Sequence, residues 1–257
     1  TNLSAGSYTV SVTDAANCAT VSSTVTIYEP AIITSTANIN DVSCFGGNDG
    51  QINLSVSGGN GVFSYLWSNG QTTQNASGLS PTSYYVVITD SSNCSDTFNY
   101  QVTAPTTLYE VSSTVEDASC FGSSDGQITV LPVGGTPPYN YSWPNGQNSQ
   151  VLTNVSSGSY LCTITDANGC NIYSTSSVGE PSQLILSSTS TSASCFGYND
   201  GAALVIPQGG TSPYTYNWTN GQTTQEINNL VAGTYSVMVF DVNNCPAPAS
   251  IIIGGPV

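Results

Sequence analysis

Residues 119–147 read SCFGSSDGQITVLPVGGTPPYNYSWPNGQ, and this stretch decides the fold because it occurs three times. SCFGGNDGQINLSVSGGNGVFSYLWSNGQ begins at Ser43 and SCFGYNDGAALVIPQGGTSPYTYNWTNGQ at Ser194, giving offsets of 76 and 75 residues. A fixed period of that size means an array of similar domain-sized units. The second half of the unit also recurs: LSAGSYTVSVTDAANC from Leu3 aligns with VSSGSYLCTITDANGC from Val155 and LVAGTYSVMVFDVNNC from Leu230. Units close on Glu29-Pro30, Ala104-Pro105, Glu180-Pro181 and Gly255-Pro256, since proline cannot donate to a sheet ladder and stiffens the link. The expected division is therefore a truncated repeat at 1–30 and full repeats at 31–105, 106–181 and 182–257. Residues 1–30 enter a repeat partway through, so the chain is expected to be a piece of a longer one.

Within a unit the pattern is all strand. Gln127 to Val133, Tyr139 to Trp143 and Tyr160 to Thr165 alternate or run β-favourable, with Gly, Pro, Asn and Asp clusters between them. Asn69-Gly70, Asn145-Gly146 and Asn220-Gly221 are strong hairpin signals. The L-x-x-G-x-Y pattern, as in Leu3, Gly6, Tyr8 and Leu230, Gly233, Tyr235, resembles the tyrosine corner of Greek-key sandwiches. One tryptophan per repeat on an early strand, this corner and about seven short strands predict tandem immunoglobulin-like β-sandwiches of about 75 residues. Trp67, Trp143, Trp218, Tyr8, Tyr84, Tyr160 and Tyr235 are the expected core aromatics. Tyr139, Tyr141 and Trp143 share one strand face, and since every repeat carries such a row and a sandwich needs a central aromatic, core is favoured over a sugar-stacking platform.

The chain has 15 acidic residues and no Lys, Arg or His, a net charge of −15. Nothing can neutralise phosphates, which removes nucleic acid and polybasic membrane attachment as partners. No apolar run approaches the roughly 20 residues of a membrane span, so direct insertion is not expected. Catalysis is left with carboxylate, Tyr and Cys chemistry, and a paired-carboxylate enzyme has no reason to repeat every 75 residues. The expectation is a protein that is not an enzyme.

By this point several motifs stand in fixed order: C-F-G-x-x-D-G, G-G-T-x-P-Y-x-Y-x-W-x-N-G-Q, L-x-x-G-x-Y and D-x-x-x-C. Together they resemble the SprB repeat of very large surface adhesins in gliding Bacteroidota. The resemblance implies export by the type IX secretion system and display at the cell surface as a filament taking part in adhesion and gliding. The expectation is a structural stalk segment, extended as a rod, whose partners are further repeats of the same chain and surface polysaccharide or other filament chains. A polysaccharide-binding array is the alternative. Asn60-Gly61-Val62-Phe63 departs from the T-x-P-Y segment, and only Gly169-Cys170 keeps the glycine before cysteine.

Seven of the eight cysteines are periodic, which reads as a disulfide framework. Pairing within repeats is expected: Cys44 with Cys94, Cys120 with Cys170, Cys195 with Cys245. Joining a late cysteine to the next repeat's early one, Cys94 to Cys120, would span far more than the roughly 7 Å limit between Cα atoms. A strict immunoglobulin topology would place the joined loops at opposite ends, so the pairing needs an unusual first strand. Cys162 replaces a valine and reads as a buried thiol. If the pairing holds, Asp49 and Asp90, Asp125 and Asp166, and Asp200 and Asp241 become neighbours able to hold Ca2+ with nearby Asn carbonyls. Plain turn chemistry explains the same residues, and no cofactor is required.

Overall fold

The computed structural model describes residues 2–255, so Pro256, the last of the four closing prolines, lies outside the described residues. The chain divides into two compact units, Thr1–Thr107 and Leu108–Val257. The first holds a hairpin of β1 (Gly6–Thr13) and β2 (Ala19–Ile27), then β3 (Thr34–Asn40), β4 (Gly50–Ser57), β5 (Ser64–Trp67), β6 (Ala76–Leu79), β7 (Ser83–Thr89) and β8 (Ser95–Gln101). The second holds two further sets of six. These are β9 (Tyr109–Glu116), β10 (Gly126–Val133), β11 (Asn140–Ser142), β12 (Val151–Val155), β13 (Gly158–Thr165) and β14 (Asn171–Val178), followed by β15 (Ile185–Thr191), β16 (Gly201–Gln208), β17 (Thr215–Trp218), β18 (Glu226–Leu230), β19 (Gly233–Phe240) and β20 (Pro246–Ile253). No helix occurs among the described residues.

Each repeat is a sandwich of two antiparallel three-stranded sheets. Their orders are β3-β4-β6 and β5-β7-β8, β12-β10-β9 and β11-β13-β14, and β15-β16-β18 and β17-β19-β20. This is the immunoglobulin arrangement with six strands where about seven were expected. The segment after the tryptophan, too short for two strands, supplies one. Glutamine side chains take over part of the missing ladder. Gln147 Nε2 donates to Thr153 O (3.0 Å) while Thr153 N donates back to Gln147 Oε1 (3.2 Å), and Gln71 makes the same pair with Ser77. Gln150 Nε2 donates to Val130 O at 2.9 Å, as Gln74 does to Leu54 O at 2.7 Å. A side-chain amide carries one acceptor and two donors, so it can stand in for a peptide unit.

Period-two alternation puts Ile128 and Val130 of β10 against Leu152, Cys162 and Ile164, with Trp143 in the centre of the cluster. The other repeats build the same core around Trp67 and Trp218. Each buried indole donates to a carbonyl six residues on: Trp67 to Thr73, Trp143 to Ser149 and Trp218 to Thr224, at 2.8–2.9 Å. Tyr139 and Tyr141 are half-buried against the core, so that row is largely spent on packing. Cys162 is buried, and burial pushes its thiol pKa up.

All four tyrosine corners form. The hydroxyls of Tyr8, Tyr84, Tyr160 and Tyr235 donate to the carbonyls of Ser4, Ser80, Ser156 and Val231 at 2.8, 3.1, 2.8 and 3.2 Å. Tyr84 does so although Thr82 stands where glycine was expected. Tyr84, Tyr160 and Tyr235 belong to or pack on a core. Tyr8 corrects the expectation of a core role, because it is only half-buried and sits in a hairpin whose described side chains form no core cluster.

The Asn-Gly turns also differ from expectation. Gly146 N donates to Trp143 O (3.0 Å) and Trp143 N to Gln147 O (3.0 Å), closing a tight turn, but the next strand, β12, pairs with β10 in the opposite sheet. The turn carries the chain between sheets instead of joining a hairpin.

Candidate functional site: the joint between the second and third repeats

Each sandwich has two dissimilar ends. At the exit end of the second repeat, residues 117–125 connect β9 to β10 beside the end of β14: Ala118 N donates to Gly179 O (2.9 Å) and Gly179 N to Asp117 Oδ1 (2.7 Å). At the entry end lie the turn from β13 to β14, carrying Cys170, and the loop at Thr136, whose N–H donates to Asp166 Oδ2 at 2.9 Å.

This polarity corrects the disulfide pairing. The eight residues of β13 separate the two ends by about 26 Å at a strand rise of roughly 3.3 Å, well beyond a bridge. Cys120 instead joins Cys245 of the next repeat, with a Cα–Cα distance of 5.6 Å across 125 positions of sequence. The pairs Cys120 with Cys170 and Cys195 with Cys245 are therefore absent, and so is Cys44 with Cys94, because Cys94 is a free thiol. Cys44 and Cys170 are also disulfide-bonded. Where Cys94 to Cys120 would have been too long, an early cysteine reaching forward to the next repeat's late one is short. The exit end of the second sandwich abuts the entry end of the third.

The aspartates considered for calcium hold these cysteine loops in shape. Asp241 Oδ1 accepts from Asn243 N (2.9 Å) and Cys245 N (2.9 Å), and its Oδ2 accepts from Thr211 N (2.8 Å). Asp90 and Asp166 make the same three bonds in their own repeats. All three are buried and satisfied by backbone donors. The left-handed position before each cysteine explains the loss of glycine there, since Asn17, Asn93 and Asn244 adopt φ of 60°, 63° and 65° as asparagine tolerates.

At the other end Ser119 N donates to Asp125 Oδ1 (3.0 Å) and Ser119 Oγ to Asp125 Oδ2 (2.5 Å). Asp49 with Ser43 and Asp200 with Ser194 repeat both bonds. Ser123 Oγ adds a third donor to Asp125, whose pKa is held down at about 2 by Ser119 and Ser123. The three Ca2+ pairs are thus not brought together: Asp49, Asp125 and Asp200 sit at exit ends, and Asp90, Asp166 and Asp241 at entry ends. No cluster of three metal-ligating side chains occurs among the described residues.

Further contacts close the joint. Asn243 Nδ2 donates to Ser119 O (3.0 Å), Gly122 N to Glu180 Oε2 (2.6 Å) and Gly210 N to Ser182 O (2.8 Å). A pocket of about 140 Å3 lies between the cysteine loops, lined by Phe121, Pro181 and Leu184 among others. The link from Val178 to Ile185 is too short and too well bonded to act as a free tether. What this arrangement does chemically is join two domains covalently. Sequence reasoning singled out Cys120, Cys245, Asp125, Asp241 and the Glu180-Pro181 closure; it missed Asn243, for which the D-x-N spacing was the available signal, and the contacts of Gly122, Ser182 and Gly210, whose backbone bonds carry no sequence signal.

The family model of the SprB repeat matches residues 36–72, 112–148 and 187–223. No curated protein matches the chain. Among solved structures, the chain is similar to the three N-terminal domains of the bacteriophage RB49 Highly Immunogenic Outer Capsid protein, at 10% identity and a TM-score of 0.41, over 88% of this chain and 100% of that one. It is also similar to titin domains I67–I69, at 13% identity and a TM-score of 0.38, over 88% and 100%. With three matches in the register of the three sandwiches, the chain belongs to the SprB-repeat family.

Proposed function

We propose that the chain is a load-carrying stalk segment of a giant cell-surface adhesin, exported by the type IX secretion system and serving surface adhesion and gliding. Its coarser character, a repeat-based structural or adhesion-type extracellular protein, follows from the family and the tandem sandwiches. The observation that carries the finer reading is the bridged joint. A disulfide between Cys120 and Cys245 transmits tension from one sandwich to the next in parallel with the peptide link. Disulfides also fit an oxidising, extracellular setting.

Two features support extension of the array. The links between sandwiches are short, and a chain of net charge −15 without a cation repels itself when its units approach. The reading is of a structural protein, not an enzyme, because the six loop carboxylates that recur in register between repeats are occupied by backbone and serine donors. Small-angle scattering of the chain tests it. Sandwich strands and short links predict a maximum dimension of about 100 to 120 Å, and a globular distance distribution ending near ~60 Å would overturn the stalk.

A further inference from the structure

The exit loop of the third repeat, residues 192–200, is built like the exit loop that makes the joint. Ser194 N donates to Asp200 Oδ1 (2.9 Å) and Ser194 Oγ to Asp200 Oδ2 (2.5 Å), matching Ser119 and Asp125. Ala193 N donates to Gly254 O (2.9 Å) as Ala118 N does to Gly179 O. Cys195 follows in the position of Cys120, exposed and free. The neighbouring phenylalanine gives a second, independent sign. Phe121 and Phe45, whose adjacent cysteines are bonded, are 54% and 64% exposed, whereas Phe196 is 96% exposed. That ring is more open to water than its two counterparts, although the loop that carries it is held by the same bonds.

We propose that this end of the third sandwich is a docking face for a further repeat of the same type, whose aspartate-pinned late-cysteine loop is joined to Cys195 by a disulfide. The established joint specifies the partner. It must offer a thiol in the position of Cys245 with its N–H held by an aspartate in the position of Asp241. An asparagine amide in the position of Asn243 then donates to Ser194 O as Asn243 donates to Ser119 O. In the bond-forming step the two thiols lose two protons and two electrons, and a disulfide oxidant such as oxidised glutathione takes them up and leaves as two thiols. The pairing rule is directional: an early cysteine binds forward, never to the late cysteine of its own repeat.

This inference rests on the tandem-array reading, and its test separates the two. The full chain is extended at its C-terminus by a second copy of residues 182–257, then refolded in a glutathione redox buffer, alkylated and mapped after digestion with a protease that needs neither Lys nor Arg. Cys195 should be found linked to the added copy's counterpart of Cys245. Its alkylation should fall about tenfold or more relative to the unextended chain, because structural disulfides resist the glutathione pool. The Cys195→Ser variant of the extended chain should leave that counterpart alkylatable, with Cys120–Cys245 intact as evidence of folding. Alkylation of Cys195 undiminished while Cys120–Cys245 forms, linkage of Cys195 to another cysteine, or absence of the Cys120–Cys245 link would each overturn the proposal. Scattering of the same extended chain reads the stalk separately, since an elongated particle with a free Cys195 refutes only the bridge.

Discussion

Val10 and Val12 in β1 hold the register positions of Cys162 and Ile164 in β13, yet the first pair is 60% and 62% exposed and the second pair 0%. The two hairpins are otherwise alike. Both carry the tyrosine corner, through Tyr8 and Tyr160. In both an aspartate caps the turn: Asp14 Oδ1 accepts from Ala16 N and Cys18 N, and Asp166 Oδ1 from Asn168 N and Cys170 N. The third bond differs, because Asp166 Oδ2 also accepts from Thr136 N, in a loop that the β1–β2 hairpin lacks. Corner and turn are thus local properties of about twenty residues, while burial comes from the facing sheet. Hydrogen bonds of this kind set geometry, and apolar area supplies most of the stabilisation.

The comparison breaks most readily at the core positions. Ile164→Ala should cost the second repeat about 2 to 5 kcal/mol, since a fully buried isoleucine leaves a cavity. Val12→Ala, at an exposed position, should change stability by no more than about 0.5 kcal/mol. Hydrogen exchange read by mass spectrometry, repeat by repeat, avoids assuming that a multidomain chain unfolds in one step. Equal effects of the two substitutions would mean that the hairpin has a core of its own.

A smaller effect sharpens the same contrast. Tyr160→Phe removes the hydroxyl that reaches Ser156 O at 2.8 Å and should cost the second repeat about 0.5 to 1.5 kcal/mol. Tyr8→Phe deletes a bond of equal length. It should leave the protection of β3 to β8 unchanged, because Tyr8 belongs to no core cluster among the described residues. Loss of protection in β3 to β8 on Tyr8→Phe would show that the hairpin supports the first repeat.

Sequence and structure agree where the pattern is local or periodic. Alternation along Gln127 to Val133 marked a strand, whose Ile128 and Val130 the structure buries, and the recurring tryptophan marked a residue of each core. The Asn-Gly signal at Asn145 is as local, but a turn says nothing about which sheet the next strand joins. The disulfide was beyond reach for a related reason. Spacing assigns each cysteine to a loop, and the decisive fact is which end of the sandwich that loop occupies and what abuts it. Gln147 and Gln150 look like ordinary surface residues until the strand they replace is seen to be missing. Gly126, the last residue of the C-F-G-x-x-D-G motif, is required by packing: a Cβ there would lie 2.6 Å from Val178 Cγ1 and 2.8 Å from Val155 O.

The finest distinction lies among the three exit loops, which the β1–β2 hairpin does not possess. Asp49, Asp125 and Asp200 each accept from the backbone and hydroxyl of a serine six residues earlier, and all three have pKa values lowered by those bonds. Asp125 alone has a third donor, Ser123 Oγ, where Gly47 and Tyr198 stand in the other repeats, and its pKa falls to about 2. A carboxylate whose folded pKa lies below its unfolded value contributes stability that is fully present above the unfolded value near 3.8. That contribution is lost as pH falls through the folded value. Amide protection at Ser119 should therefore persist as pH is lowered past 3.8 and disappear only around 2, whereas Ser43 and Ser194 should open at a higher pH. Ser123→Gly should move the Ser119 transition up to join the other two, and Asp125→Asn should abolish its steep acid limb. Coincident transitions for all three serines in the unaltered chain would show that the third donor adds nothing to the pinning of the Cys120 loop.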